Sequence, residues 1–275
     1  MDRLTILEQK ARSIRKKILD VFEQGHMGHI ASSYSSVEIM TALFYGGVFR
    51  YRPDEPQWDG RDRFLLSKGH AGLLYYTILS DVGYFDDTTL MNYGKPGNML
   101  GVHVDHRVPG VEALSGSLAC GLGLAVGMAL AAKTDRKEHM IFALLGDGEC
   151  YEGAIWEAAA FAAHNRLNNL VVLVDHNHMC CSGFLEDTVS MEPFEDKWRA
   201  FGFEVVSVDG HDFQTLLQIL QTVRCRKSTR PLCIVADTVK AKGLPYVENT
   251  GLCHGYAPIH SDALQRAREA LEEGN

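Results

Sequence analysis

The length, composition and charge of the chain exclude several classes of protein. Its 275 residues, 46% of them hydrophobic, suffice for one large domain or two small ones with a complete core. A formal net charge of −8, with no basic run longer than Arg15-Lys16-Lys17, argues against nucleic-acid binding, and no apolar stretch is long enough for a membrane span. Seven cysteines without a CxxC pair indicate free thiols, and residues 1–4 lead into a charged helix instead of a signal peptide, so we expect a cytoplasmic protein.

The amino-terminal part of the chain is predicted to be mainly helical. Apolar residues at helical spacing predict a first helix over residues 4–23, with Gly25 as its stop signal. A second helix is expected to begin after the serine-rich residues 32–36. A short strand over residues 63–67 and a helix over residues 71–79 follow.

The remainder of the chain alternates between strand and helix patterns. Residues 83–109 are loop-rich, and a long loop inside a compact domain usually serves function. A small-residue helix is predicted over residues 118–133, strands over 140–145, 170–174, 204–208 and 232–236, and a last helix over 262–273. This alternation predicts an α/β protein with a doubly wound, mainly parallel sheet and helices on both faces, and the lack of a linker predicts one domain over 1–275.

Oxygen-bearing side chains follow two of the predicted strands. Gly146-Asp147-Gly148 closes one strand, and the run 175–177 closes the next and ends in Asn177. Because ligands bind at the carboxyl ends of parallel strands, we expect Asp147 and Asn177 to lie close together. Mg²⁺ takes few protein ligands, all of them oxygen, and completes its shell with phosphate and water. The pair therefore predicts a Mg²⁺ that carries a diphosphate, with Ca²⁺ or Mn²⁺ as possible substitutes.

The segment after Asp147 adds a second signal for a phosphate group. Gly148 lets the backbone approach a phosphate, and the helix that follows directs its positive N-terminus at the same place. Asp147 or Asn177 taken alone is equally well explained by the turn preference of Asp and Asn. Together, the two strand ends and the intervening helix form the thiamine diphosphate fingerprint.

Histidine pairs raise the alternative of a zinc site. Three pairs have ligand-like spacing, namely His26 with His29, His103 with His106, and His176 with His178. No cysteine or acidic motif in the sequence completes a tetrahedral set around any of them, so zinc is the weaker hypothesis. The adjacent Cys180 and Cys181 are interpreted as two unrelated buried thiols.

The chain resembles the transketolase family over nearly its whole length. Residues 146–158 and 169–177 are similar to the transketolase form of the thiamine diphosphate fingerprint. Further similar segments lie at residues 25–28, 62–71, 109–112, 115–118 and 254–255. The best of them is Asp62-Arg-Phe-Leu-Leu-Ser-Lys-Gly-His-Ala71, which is almost undisturbed.

The resemblance implies a set of metal and cofactor contacts. Asp147, Asn177 and the backbone carbonyl of Met179 would ligate Mg²⁺. The residues implied to contact thiamine diphosphate, either at its diphosphate or at its aminopyrimidine end, are His70, Gly116, Ser117, Leu118, Gly148, Glu152, Asn177, Lys240 and His254.

The resemblance also implies a cluster of catalytic histidines, namely His26, His70, His103 and His254. Cleaving a ketose between C2 and C3 requires removal of the C3 hydroxyl proton, and imidazole exchanges protons near pH 7. Seven further histidines are interpreted as structural or exposed, namely His29, His106, His139, His164, His178, His211 and His260.

Transketolases that work alone carry further domains after this one, including the pyrimidine-binding domain, so the chain is expected to be an amino-terminal subunit. We expect it to transfer a two-carbon ketol unit between sugar phosphates only with a carboxy-terminal transketolase subunit, in an α2β2 assembly. Departures from the family pattern, such as Met27 in place of proline, leave the donor sugar open.

Three other interpretations of the sequence compete with this one. The α subunit of a 2-oxoacid dehydrogenase also carries such a cofactor domain, but the histidines and the Ser-Lys-Gly-His match argue against it. Deoxyxylulose phosphate synthase has a longer chain and a different motif after the fingerprint. A non-catalytic remnant with a scaffolding role is the alternative outside enzymes.

Overall fold

The computed structural model describes residues 2–25, 28–250 and 261–273. Three helices come first, namely α1 (Arg3–Gly25), α2 (Ile30–Tyr34) and α3 (Val37–Tyr45). Strand β1 (Arg63–Leu66), a 3₁₀ turn (Gly69–Ala71), α4 (Gly72–Asp81), α5 (Asp87–Met91) and α6 (Cys120–Thr134) follow. The next elements are β2 (Ile141–Gly146), a second 3₁₀ turn (Gly148–Tyr151), α7 (Gly153–His164) and β3 (Leu170–His176). The described chain continues through β4 (Met179–Cys180), β5 (Gly183–Phe184), α8 (Leu185–Thr188), α9 (Phe194–Ala200), β6 (Glu204–Asp209), α10 (Phe213–Leu220), β7 (Leu232–Asp237) and α11 (Ser261–Glu273).

Five parallel strands form the central sheet in the order β1-β2-β3-β7-β6. Strands β2 and β3 lie in the middle, and every residue of β3 is buried. Such continuous apolar strands are typical of parallel sheets that are covered on both faces. A separate antiparallel hairpin pairs β4 with β5 just beyond the end of β3.

Alternating side chains of the strands enter two separate cores. Phe142 and Leu144 of β2 pack with α1, α3, α4 and α10, whereas Ala143 and Leu145 pack on the opposite face with α6, α7 and α9. This division follows from the two-residue period of a strand. The predicted fold class, a doubly wound, mainly parallel sheet with helices on both faces, is therefore confirmed.

Local sequence signals explain several of the element boundaries. Helix α1 buries one stripe that includes Leu7, Ile14 and Ile18, as its periodicity predicts. Helix α10 begins where the side chain of Asp212 accepts hydrogen bonds from two backbone amides of the first turn. None of the described helices has the length and apolar character that a membrane crossing requires.

The structure differs from the predicted elements in several places, among them the β4–β5 hairpin and helix α8, which were not predicted. Helices α2 and α5 were missed because five residues are too few to show a helical period. Helix α6 begins at Cys120, two residues later than predicted, because Ala119 adopts a left-handed conformation with φ of 69°. Strand β3 extends to His176, since the carboxylate of Asp175 near its end accepts hydrogen bonds inside the protein.

Candidate cofactor site

The ends of β2 and β3 bring the predicted metal ligands to one edge of the sheet. Asp147 accepts hydrogen bonds from the backbone amides of Gly148, at 2.7 Å, and His178, at 2.5 Å. Asn177 accepts one from the amide of Met179 at 3.2 Å. Asp147, Asn177 and Met179 are all buried. A carboxylate, an amide oxygen and the carbonyl of Met179 therefore lie around one small region.

The electrostatics of Asp147 fit a bound cation. Burial, followed by the neighbouring carboxylate of Asp175, raises the pKa of Asp147 to about 7. A divalent cation beside this carboxyl group would stabilise its charged form. The donor set is also all oxygen, as Mg²⁺ requires. The residues at this edge therefore fit a Mg²⁺ ion.

Gly148 packs closely against the β4–β5 hairpin, beside the edge formed by Asp147, Asn177 and Met179 (the metal edge). A Cβ atom at this position would lie 3.0 Å from Cβ of Cys180 and 3.6 Å from the carbonyl oxygen of Met179. Only a glycine therefore fits without displacing the hairpin of β4 and β5. The same feature lets a phosphate approach the backbone closely.

Two lysines give the site positive charge. Lys68 is buried and forms an ion pair with Asp175 and a hydrogen bond with the hydroxyl of Ser36 at 3.0 Å. Lys240 is also buried and donates to the carbonyl of Cys180 at 3.4 Å. Burial and the charge of Lys68 lower the pKa of Lys240. An anion between the lysines would offset this repulsion, which fits the diphosphate that the sequence predicts.

A cavity of about 340 Å³ joins these groups, a volume within the range of small-molecule sites. Its lining includes most of the residues predicted to contact metal and cofactor, namely His70, Leu118, Asp147, Gly148, Glu152, Asn177, Met179 and Lys240. It also includes Cys180 and the exposed Cys181, so the prediction that both thiols are buried is wrong. The pair lies on the β4–β5 hairpin, where side chains face the cavity and solvent.

Gly116 and His103 meet beside this cavity. Gly116 has φ of 129°, and a Cβ atom there would lie 3.1 Å from the ring of His103. His103 contacts the carbonyl of Gly69 through Nδ1 at 3.2 Å. Ser117 is the next residue, and its hydroxyl accepts a weak hydrogen bond from the thiol of Cys120 at 3.8 Å.

Three imidazole rings form a cluster at one end of the site. The ring centroids of His70 and His103 are 5.3 Å apart, and His29 lies 4.5 Å from His70 and 5.7 Å from His103. The prediction placed His70 and His103 together but interpreted His29 as structural or exposed. His29 is buried within the cluster, and its spacing from His26 was the available signal. His26 and His254, also predicted as catalytic, lie outside the described residues.

Glu149 is a buried residue of the site that the sequence analysis did not assign. Its carboxylate accepts hydrogen bonds from the hydroxyl of Ser67 and from the backbone amides of Ala119, at 2.7 Å, and Gly146, at 3.2 Å. Burial raises the pKa of Glu149. The side chain therefore joins the loop before α6 to the ends of β1 and β2. It holds in place the part of this loop in which Leu118 lines the cavity.

The fold and this site define the class of α/β domains that bind an anionic ligand at the carboxyl edge of a parallel sheet. The family model described as "Transketolase, thiamine diphosphate binding domain" matches residues 6–273. The chain therefore belongs to the transketolase family, through its thiamine diphosphate-binding domain. The resemblance inferred from the motifs is confirmed, and the 2-oxoacid dehydrogenase alternative is not favoured.

Similar proteins include single subunits and longer chains. The chain is 39% identical over 249 residues to the 6-deoxy-6-sulfo-D-fructose transketolase subunit SqwG of Clostridium sp. strain MSTE9, covering 90% of each. It is 33% identical over 266 residues to one subunit of the apulose-4-phosphate transketolase of Phocaeicola vulgatus, covering 97% of this chain and 94% of the relative. The crystal structure of transketolase from Campylobacter jejuni superposes with a TM-score of 0.92 at 30% identity, covering 99% of this chain and 43% of that one.

Proposed function

We propose that this chain is the diphosphate-binding subunit of a thiamine diphosphate-dependent transketolase. The assembled enzyme transfers a two-carbon ketol unit from a ketose donor, free or phosphorylated, to an aldose acceptor, free or phosphorylated. The observation that carries the proposal is the buried edge of Asp147 and Asn177, which opens into one cavity with Lys240 and His70. Relatives that are named as transketolase subunits and match this chain nearly end to end support it.

The metal edge supplies the first part of the mechanism. Asp147, Asn177 and the carbonyl oxygen of Met179 would hold Mg²⁺, with Ca²⁺ or Mn²⁺ as substitutes. Gly148 and Lys240 would receive the diphosphate, the first through its backbone and the second through its charge. When bound, thiamine diphosphate supplies the electron sink that stabilises the carbanion left by cleavage of the ketose.

The histidine cluster supplies the proton transfers. His70 and His103 lie side by side, so both rings could face one bound sugar and exchange a proton with its C3 hydroxyl. Imidazole suits this task because it exchanges protons near neutral pH. His26 and His254 complete the proposed set of catalytic residues, and His70, Gly116, Ser117, Leu118, Glu152 and His254 complete the cofactor contacts.

An exposed apolar face is the proposed surface for the partner subunit. Leu124 of α6 is 45% exposed and Phe161 of α7 is 48% exposed, and both helices are rich in glycine and alanine. Patches of this kind mark protein interfaces. The partner would carry the pyrimidine-binding domain, and the obligate interface should exceed roughly 2,000 Å² in total. We expect two copies of each subunit, one domain over residues 1–275 of this chain, and a cytoplasmic location.

The experiment combines the purified chain with its pyrimidine-domain partner and measures ketol transfer across a panel of ketose donors. The panel includes sulfonated and phosphorylated ketoses, because one relative is named for a sulfonated sugar and another for a sugar phosphate. We expect activity only from the mixture, whereas full transfer by this chain alone would contradict the split enzyme.

The metal assignment is tested in the same assembly. Asp147→Ala should abolish Mg²⁺-dependent binding of thiamine diphosphate in calorimetry, because it removes the carboxylate of the donor set. The matched control, Asp54→Ala, changes an exposed aspartate that does not line the cavity and should leave binding unchanged. Unchanged affinity in Asp147→Ala would overturn the assignment.

A further inference from the structure

A second polar cluster lies beside the metal edge, outside the cofactor cavity. His176 is the last residue of β3, is 5% exposed, and stacks on the ring of Phe194 at 4.6 Å between centroids. Its Nε2 atom is buried and makes no hydrogen bond with any residue that the structure describes. A buried polar atom without a hydrogen bond lowers the stability of the fold, and a ligand bound to this nitrogen would remove that cost.

Two further ligand atoms converge on this nitrogen. Oε1 of Glu192 lies 3.4 Å from Nε2 of His176, and the ring centroids of His176 and His178 are 4.1 Å apart. One ligand atom from each of the three residues lies within 4.8 Å of the other two. Zn²⁺ binds nitrogen at about 2.1 Å, and the edge of a tetrahedron with such bonds is about 3.4 Å. The observed separations therefore leave room for one ion in the centre after small side-chain adjustments.

The cluster borders a cavity other than that of the cofactor. This second cavity, of about 450 Å³, is lined by His178, Glu192 and Asp237, and it adjoins the cofactor cavity at Asn177, which lines both. His178 adopts φ of 60°, a left-handed conformation, which turns the chain at this point. Its backbone amide donates to Asp147, so a ligand on the side chain of His178 would also steady the Mg²⁺ edge.

The chemistry of the cluster selects the class of ion. Two imidazoles and a carboxylate suit Zn²⁺ and similar transition-metal ions, whereas Mg²⁺ and Ca²⁺ prefer oxygen ligands. Asp237 lies 2.7 Å from Nε2 of His178 and adds a second negative charge. The side chains of His178 and Glu192 are 50% and 56% exposed, so an ion could enter from solvent. Water could then occupy its remaining coordination position.

We propose that His176, His178 and Glu192 form a binding site for one divalent transition-metal ion of the Zn²⁺ type, distinct from the Mg²⁺ of the cofactor. The ion would join the end of β3 to the segment before α9. The spacing of the two histidines is visible in the sequence, but no acidic motif beside them completes the set. Glu192 supplies that ligand from 14 residues beyond His178, which sequence spacing does not reveal.

The test measures Zn²⁺ alone on the full-length chain, freed of metal by a chelator, produced without a histidine tag and saturated with Mg²⁺. Calorimetry should show one equivalent of bound Zn²⁺. His178→Gln and Glu192→Gln should each weaken the affinity more than about tenfold, since even outer-shell changes cost 10–100-fold. His164→Gln, at an exposed histidine of α7, is the matched control and should bind as the wild type does.

The thiols of Cys180 and Cys181 are a competing binding site for Zn²⁺. The absorption spectrum of bound Co²⁺ distinguishes this site from the cluster of His176, His178 and Glu192. Co²⁺ bound by nitrogen and oxygen should show no thiolate charge-transfer absorption, and Cys181→Ser should keep its affinity. Thiolate absorption, or unchanged affinity in both His178→Gln and Glu192→Gln, would overturn the proposal. Glu192 is a half-exposed loop residue, so Glu192→Gln should fold, and circular dichroism would verify it. None of these measurements depends on transketolase activity.

Discussion

The buried ion pair between Lys68 and Asp175 makes the sharpest prediction about how the site is held together. Asp175 is inaccessible to solvent and accepts hydrogen bonds from the hydroxyls of Ser35, at 2.6 Å, Ser36, at 2.8 Å, and Thr238. Burial alone would raise the pKa of Asp175, but Lys68 and these hydroxyls lower it below its ordinary value. Asp175→Asn keeps the shape of the side chain and most hydrogen bonds while it removes the charge.

The expected cost follows from what the substitution leaves behind. Lys68 would remain buried at 5% exposure without its ion-pair partner, although the carboxyl groups of Asp147 and Glu149 still interact with its charge. Breaking a buried pair from one side costs about 3–5 kcal/mol. For a chain of this size, 1 kcal/mol corresponds to about 2–4 °C, so the melting temperature should fall by roughly 6–20 °C. Replacing both charges, as in Asp175→Asn with Lys68→Met, should recover most of this loss because no unpaired charge remains.

The assay is urea unfolding of the two single variants and the double variant, analysed as a double-mutant cycle. We expect a coupling energy of about 3 kcal/mol, the upper end for residues in contact. Asp59→Asn is the matched control, because Asp59 pairs with Lys137 at the surface and such pairs contribute about 0–1 kcal/mol. A loss below about 1 kcal/mol in Asp175→Asn, together with no coupling to Lys68, would refute the reasoning.

Three further predictions concern catalysis, acid stability and packing. His103→Ala in the assembled enzyme should keep its affinity for thiamine diphosphate, measured by calorimetry, but lower donor turnover by about 10²–10⁴-fold; wild-type turnover would contradict its role. Burial opposes ionisation of Glu38, yet Arg15 outweighs it and lowers the pKa from 4.5 to about 2. Glu38 therefore adds stability above pH 4.5 that is lost as the pH falls towards 2, and urea unfolding of Glu38→Gln should show a weaker pH dependence over that range. Gly202→Ala should lower the free energy of unfolding in urea by more than about 1 kcal/mol, because φ is 91° and the new Cβ would lie 2.8 Å from Cβ of Ala163; an unchanged stability would show that the turn relaxes.

Local patterns in the sequence predicted the fold and part of the candidate site. Helix α1 and strands β2 and β3 were predicted within two residues, because long apolar periodicities report the core directly. The strand-end motifs with Asp147 and Asn177 were predicted to lie together, and the structure places both at one edge of the sheet. Whether they hold Mg²⁺ stays a prediction.

Residues whose partners are distant in the chain could not be assigned from spacing. Glu149 is bonded to Ser67, 82 residues away, and His29 reaches His70 and His103 only through the packing of α2 against the turn after β1. Glu149 follows the Gly146-Asp147-Gly148 motif and His29 lies three residues after His26, but neither neighbour identifies the distant partners, which only the folded chain brings close.

The sequence by itself determined the α/β fold, the family, and the position of oxygen-bearing side chains at the two strand ends, because each of these depends on short-range patterns. The tertiary structure decided which charges neutralise one another, which histidines form a cluster, and which loop residue completes a set of possible metal ligands. Lys68 with Asp175 and His176 with Glu192 are examples, since burial and distance, not spacing along the chain, create both pairs. The physical reason is that Coulomb and coordination energies depend on separation in space, and only the folded chain fixes that separation.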